Sequence, residues 1–347
     1  MNTEILKNVW YIGALSRDVK PGQLKSLILN QEPIVLARKP SGEVYAIRDI
    51  CPHRGIPFSY GRMVGDQVEC PYHGWKFNSQ GVCTEIPSLC EGQDLDCSKI
   101  RVKSYPVLEK QGVIWIFLTD KENPAPEKVP LPPTMAALPS DVQPGIVEQA
   151  LFPCHLDHAV IGLMDPAHGP YVHKSWFWRS EKSSYEKRKK FAPVDFGFQM
   201  VRHAPSKNSK AYKILGGAPT TEITFTLPSV RLEHIQVGSR NVYNLTALCP
   251  ISPLETRVYS LLYWDLPWLS FVKPLISQFA HRFLYQDLDA VRKQQEGLKY
   301  DPSLMLIKDA DTQAKWYYSL KGEWARHFQE KRDFQNPVKE TELRWRS

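Results

Sequence analysis

The sequence predicts an α+β chain of two domains, on three observations. Short runs of β-branched and aromatic residues fill the first third, and a proline-dense stretch interrupts the chain after them. Beyond it, further strand-like runs give way to two long segments with helical spacing. From Val9 to Leu118 the runs LKSLILN, PIVLARK, EVYAIRDI and VIWIFL are bounded by Gly, Pro, Ser and Asn, which is the pattern of an antiparallel all-β domain. Lys121 to Ser140 holds six prolines, which remove the backbone donors a helix or central strand needs. The boundary therefore falls there, giving domains at 1–120 and 141–347 with a linker at 121–140. In the second domain TTEITFTL, VRLEHIQV, NVYNLTAL and TRVYSLLYW read as strands, and Leu269–Glu296 and Asp311–Gln329 as helices.

Composition narrows the function. Forty-four Lys and Arg against 37 Asp and Glu leave +7 over 347 residues, too mild an excess for a dedicated nucleic-acid binder. The most apolar stretch, Pro267–Leu284, carries Lys273, Gln278, His281 and Arg282, so no membrane span is expected. Glu4 and Lys7 spoil any secretory signal at the start, which makes the cytoplasm the expected compartment. Seven cysteines, an odd number, argue for metal binding or packing rather than a disulfide framework. Walker, GxGxxG, GxSxG and HExxH patterns are absent.

Two metal constellations remain. Cys51-Pro-His53 and Cys70-Pro-Tyr-His73 place one Cys and one His on each of two knuckles, a donor set open to zinc or to a two-iron cluster. Zinc modules usually pair Cys with Cys on one knuckle. The mixed arrangement suits a [2Fe-2S] cluster in which Cys51 and Cys70 hold one iron and His53 and His73 the other. Neutral imidazoles in place of two thiolates raise the reduction potential, making the site an electron relay. Cys83, Cys90, Cys97, Cys154 and Cys249 have no partner pattern and are expected to be buried packing residues.

The second constellation is Asp165-x2-His168-x4-His173. Two His with a distant carboxylate form the ligand set of non-haem Fe(II) oxygenases. On a regular helix the two rings would lie about 140° apart, so one metal can hold both only if the helix breaks, as Pro166, Gly169 and Pro170 require. His155 and His158, at i, i+3, are expected to be polar groups on one helix face. The third ligand is expected to be Asp287, on the apolar stripe of Leu284, Leu288 and Val291, where an unpaired carboxylate would be costly. Asp289, beside Arg292 and Lys293, reads as a surface ion pair. The run Lys187–Lys190 is expected in a solvated loop, with steering of an acidic electron donor as the alternative.

CPHRG and CPYHGW resemble the two boxes of the Rieske iron-sulfur family. Respiratory Rieske proteins carry an extra Cys in each box; Ile56 and Tyr72 stand there, so the resemblance is to the oxygenase branch. Asp165, His168 and His173, and Gln286-Asp287 with Gln294, resemble that branch's iron motifs. Ile161 and Gly162 stand where members often carry Asn or an acid. The resemblance implies an all-β Rieske domain joined to a helix-grip catalytic domain, an antiparallel sheet wrapping a long C-terminal helix. It further implies a homotrimer of the compact monooxygenase and demethylase type that uses O₂ and electrons from NAD(P)H. A separate reductase, with or without a ferredoxin, would supply the electrons. It also implies that Asp165 links the iron to the cluster of an adjacent subunit through His73. Two other readings are an electron carrier that has lost its iron and a binding module for an apolar ligand. Strand residues between Thr220 and Tyr263 are expected to line a pocket for an apolar or aromatic substrate.

Overall fold

The structure, a computed structural model, describes residues 4–120, 131–173, 181–206, 215 and 217–347. Residues 121–130, the first half of the expected linker, lie outside them. The chain divides into two compact units, Lys7–Val129 and Met1–Leu6 with Pro130–Ser347.

The first unit is built from β1 (Val9–Leu15), β2 (Leu24–Leu29), β3 (Glu32–Arg38), β4 (Val44–Arg48), β5 (Arg62–Val64), β6 (Gln67–Glu69), β7 (Lys76–Phe77), β8 (Cys83–Glu85), β9 (Ser104–Tyr105), β10 (Val107–Lys110) and β11 (Val113–Leu118). They form three antiparallel sheets in the orders β1-β11-β10, β2-β3-β4-β9 and β5-β6-β7-β8. VWYIGAL and VIWIFL are apolar throughout rather than alternating, and both strands are buried along their whole length. Val35, Ala37, Tyr45, Ile47, Phe58, Val68 and Phe77 build one core, and Cys51 and Cys70 belong to it. The metal loops of this unit thus stand directly on packed apolar side chains.

The second unit contains β12 (Ile146–Phe152), α1 (Leu156–Met164), α2 (Gly169–Val172), β13 (Glu186–Val194), β14 (Gly197–His203), β15 (Thr220–Thr226), β16 (Val230–Val237), β17 (Arg240–Ser252), β18 (Glu255–Trp264), α3 (Lys273–Leu298), α4 (Thr312–Glu330) and β19 (Thr341–Arg346). Its eight described strands make one antiparallel sheet, β12-β18-β17-β16-β15-β14-β13-β19. Directly opposed residues share a face. The register Glu148↔Ser260↔Thr246↔Arg231↔Phe225↔Phe198 therefore marks one side of the sheet. That side carries the helices. On α3, Ser277 Oγ donates to Glu148 at 2.9 Å and His281 Nδ1 lies 3.0 Å from the same carboxylate. On α4, Tyr317 meets Phe225 edge to ring and Trp316 lies tilted against Phe198 with ring centroids 5.1 Å apart.

α1 is tied to α4 by a buried charge cluster. Lys321 Nζ donates to both oxygens of Asp157 at 2.9 and 2.8 Å, and Tyr317 Oη donates to Oδ1 at 2.6 Å. Asp157 is 3% exposed and Lys321 5%. A buried pair on this footing holds its helices only while both partners remain.

The basic run Lys187–Lys190 is not a loop. It lies in β13, paired with β19 from Glu186↔Arg346 to Phe191↔Thr341. Lys187 and Phe191 are buried while Arg188 and Lys190 point to solvent, and Lys187 Nζ donates to Ser347 Oγ at 2.8 Å. The lysine stem counts as apolar surface here, which hides the strand's alternation from a reading by charge. Cys83, Cys154 and Cys249 are buried as expected of packing residues, but Cys90 is exposed and Cys97 half-buried.

Candidate metal centres

The first site is made by two turns of the same construction. Cys51 N–H donates to Ile56 O at 2.9 Å and Gly55 N–H to Cys51 O at 2.9 Å; Cys70 N–H donates to Trp75 O at 2.9 Å and Gly74 N–H to Cys70 O at 3.1 Å. Gly55 and Gly74 close the turns at φ +75° and +70°, which an L side chain rarely adopts. Cys51 and Cys70 are 1% and 2% exposed, and their thiols contact each other. His53 and His73 lie further out with ring centroids 4.4 Å apart. Trp75 stacks flat on His53 at 4.5 Å, a support that the sequence displayed only as the residue after Gly74.

These residues fit a [2Fe-2S] cluster. Burial, and then the neighbouring Cys70, push the Cys51 thiol up to about 12. Two thiolates side by side in an apolar core are tenable only against strong positive charge. Loss of solvation, and then the adjacent His73 and Arg54, hold His53 below the ordinary imidazole value, so the ring is kept in the neutral form that ligates metal. Thiols inside and imidazoles outside match the division of Cys and His between two irons.

The second site joins α1, α2 and α3. Asp165 ends α1, and Pro166 turns the chain so that His168 and His173 flank the single turn of α2. His168 Nδ1 donates to Asp165 O at 2.9 Å. The Asp165 carboxylate accepts from Ala167 N–H at 2.7 Å and lies 3.6 Å from the His168 ring nitrogen. The backbone carbonyl, rather than the side chain, thus fixes the His168 tautomer. His173 is 3% exposed, and its Nδ1 donates to Gln286 Oε1 at 3.2 Å while Phe283 stacks on the ring at 3.4 Å. Phe283 stands one turn before Asp287, which was its only signal in the sequence. Gln286 had registered only as part of the resemblance.

With both Nδ1 hydrogens spent, both Nε2 atoms present lone pairs, and they face each other at 3.1 Å. Asp287 Oδ1 lies 3.1 Å from His173 Nε2 and 3.7 Å from His168 Nε2. Three acceptors converge with no donor among them. A bound cation, or a proton taken up by His168, resolves that arrangement. Burial opposes a proton on His168, but Asp165 and Asp287 outweigh it and raise the ring's pKa. Two imidazoles and a carboxylate form the ligand set suited to non-haem Fe(II), so the triad can bind mononuclear iron.

Other sequence expectations fall apart from the triad. Asp289 bonds Lys293 at 2.6 Å on the exposed side of α3. His155 accepts from Asp157 N–H as the cap of α1, and His158 is half-buried with its pKa lowered by loss of solvation and then by His155. Strand residues from Glu222 to Tyr243, with Thr134, Ala136 and Ala137, line a cavity of about 460 Å³. Thr224 and Leu232 are opposed in register and alternate with Phe225 and Arg231, so the cavity opens on the reverse of the sheet from the helices. Strand residues from the stretch expected to line a substrate pocket, Thr220 to Tyr263, thus line a cavity on the side of the sheet away from the helices. Its walls are also polar, with His234, Glu222 and Asn241 joined by hydrogen bonds and ring stacking of His234 on Tyr243.

Residues 9–106 match the model of the Rieske [2Fe-2S] domain. Over 170 residues the chain is 32% identical to the oxygenase component of dicamba O-demethylase from Stenotrophomonas maltophilia, covering 49% of this chain and 48% of that one. Chlorophyllide a oxygenase from Chlamydomonas reinhardtii is 29% identical over 85% of this chain and 44% of its own. The chain spans about half the length of the curated relatives it matches along most of its own length. Among solved structures, dicamba monooxygenase bound to dicamba superposes with a TM-score of 0.74 at 22% identity, over 94% of this chain and 98% of that one. No described helix is long and apolar enough to cross a membrane.

Proposed function

Starting from a chain that carries a Rieske [2Fe-2S] domain and has the fold of a Rieske oxygenase, we propose that it is the terminal oxygenase component of a multicomponent system. It takes O₂ and electrons that a separate reductase, with or without a ferredoxin, draws from NAD(P)H. It hydroxylates or oxidatively demethylates an apolar or aromatic small molecule, working as a homotrimer in the cytoplasm. The observation that carries this reading is the convergence of three acceptor atoms at His168, His173 and Asp287 in a unit separate from the Cys and His loops. An electron carrier or a binding module needs only one of those two sites. The relatives named as oxygenases and an O-demethylase support the same class of chemistry.

The roles divide by residue. Cys51, Cys70, His53 and His73 would hold the cluster, and His168, His173 and Asp287 the mononuclear iron. When bound, the pair would supply one-electron transfer and O₂ activation. The chain's own contribution is positioning. Asp165 O and Gln286 Oε1 keep both ring hydrogens on Nδ1, so that both Nε2 lone pairs face one point. Phe283 covers the His173 ring and limits water there. The Asp165 carboxylate, half-exposed and oriented by Ala167 N–H, is available to a histidine of another subunit.

The test is metal content with turnover. Purified protein should hold acid-labile sulfide and three irons per chain. With a generic reductase and NAD(P)H, aromatic methyl ethers and related apolar compounds should stimulate O₂ uptake and yield hydroxylated or demethylated product. Zinc without sulfide, or a reducible cluster whose O₂ uptake no compound stimulates, would refute the proposal.

A further inference from the structure

Two thiols lie close together away from both metal centres. Cys83 begins β8, and Cys97 begins a short 3-10 turn whose N-terminus is capped by Asp96. Backbone bonding brings the two segments side by side: Cys83 N–H donates to Ile100 O at 2.9 Å, and Val82 bridges Arg101. Both side chains pack on the apolar core beneath the cluster loops, where Cys83 Sγ–H donates to Glu85 O at 3.7 Å and the neighbouring Cys97 thiol adds to the rise in the Cys83 pKa that burial causes. Among the described residues, no group of three metal donors includes either of them. The pair therefore has the proximity of a ligand pair without a ligand's companions.

We propose that Cys83 and Cys97 are a peroxide-responsive dithiol, which hydrogen peroxide converts to an intrachain disulfide closing the loop between them. Cys97 is half-buried and is the first reactant; Cys83, fully buried, is the resolving thiol. The Cys97 thiolate attacks one peroxide oxygen. A sulfur–oxygen bond forms, the O–O bond breaks, and hydroxide leaves to become water with the thiol's proton. Cys83 sulfur then attacks Cys97 sulfur; the S–S bond forms, the S–O bond breaks, and the hydroxyl departs with the Cys83 proton as a second water. Two thiols lose two electrons and one peroxide becomes two waters. Burial pushes the Cys83 thiol up to about 11, which makes it a poor first nucleophile toward peroxide.

The loop matters because of what it touches. A Cβ built on Gly74, in the second Cys-His turn, would come 3.2 Å from Pro87 Cγ. Leu89, further along, packs on the same core as Cys51 and Cys70. A disulfide at the loop's two ends would fix it against the turn that presents His73.

The experiment titrates cluster-loaded protein with hydrogen peroxide, blocks remaining thiols with an alkylating agent, and maps the digest by mass spectrometry. A Cys83–Cys97 linked peptide should appear while the visible absorption of the cluster is unchanged, and should vanish on treatment with dithiothreitol. In Cys83→Ser, dimedone should trap a sulfenic acid at Cys97; in Cys97→Ser, Cys83 should remain a free thiol. Cluster loss before any link forms would overturn the proposal. So would linkage of either residue to the exposed Cys90, or oxidation of Cys97 to sulfinic acid in the wild type without a link.

Discussion

The two metal centres are built on opposite principles. Both ends of the first lie within one short stretch of chain, and each turn closes on its own backbone, so its geometry is largely settled by local hydrogen bonds. The second gathers ligands from two distant parts of the chain; His173 and Gln286, which touch, are 113 residues apart. Its geometry exists only when α3 is docked on the sheet and α1 is held by α4. The first site should therefore withstand damage elsewhere in the molecule, and the second should report it.

The largest effects come from removing ligands. Cys51→Ser or Cys70→Ser should abolish the cluster's absorption and electron-spin resonance while the triad still binds added Fe(II) or Co(II). His173→Ala, His168→Ala or Asp287→Ala should remove one iron per chain and all turnover while leaving the cluster spectrum intact. Loss of both metals from either class of variant would erase the contrast between the sites.

Next in size is damage at a distance. Asp157→Asn leaves Lys321 buried without its partner, which should cost about 3–5 kcal/mol and lower the melting temperature of the second unit. Metal binding at the triad should weaken with it, and cluster content should not change. A related effect is set by pH. Arg332, together with Gln335 N–H and Arg326, outweighs burial and holds the Glu323 carboxyl at about 2 against an ordinary 4.5. A depressed folded-state value means stability fully present above the unfolded value and lost as pH falls toward the folded one. Glu323→Gln should therefore melt below the wild type at pH 7, with the gap shrinking between about pH 5 and pH 2. A gap that widened on acidification would reverse the sign of this account.

Smaller still is Gln286→Leu, which removes the acceptor of His173 Nδ1–H but no ligand. Metal affinity at the triad should fall by about 10–100-fold, measured by Co(II) competition, with the fold and cluster intact. Asp289→Ala should change stability by no more than about 0.5 kcal/mol and leave iron content unaltered, because its pair with Lys293 is exposed.

What could be read in the sequence follows the same division. The Cys-Pro-x-His boxes state their geometry in adjacent residues, and the helical stripe of Leu284 and Leu288 singled out Asp287 from Asp289 before any fold was known. The strands LKSLILN to VIWIFL were legible as strands because their composition is β-branched and aromatic. Strands of two or three residues, such as Lys76–Phe77 and Cys83–Glu85, were not, since so short a run has no period to detect. Nor was β13, whose pairing with β19 spans most of the second unit and whose buried face includes a lysine. Gln286 and Phe283 as supports of His173, and Cys97 beside Cys83, required the packed structure, because nothing in their spacing distinguishes contact from mere proximity in sequence.

One ring just past the end of α2 is gripped from both edges by neighbouring residues of a single rod. Gln286 takes the Nδ1 edge of His173 and Asp287 faces Nε2, on a helix of 26 residues, about 39 Å long. Sliding that rod by one residue's rise, about 1.5 Å, would slacken both holds together, and no turn of either side chain alone could restore them. The centre is thus a vernier on the axial seating of α3: it has one engaged position, and displacement anywhere along the helix is read at the metal as all or nothing.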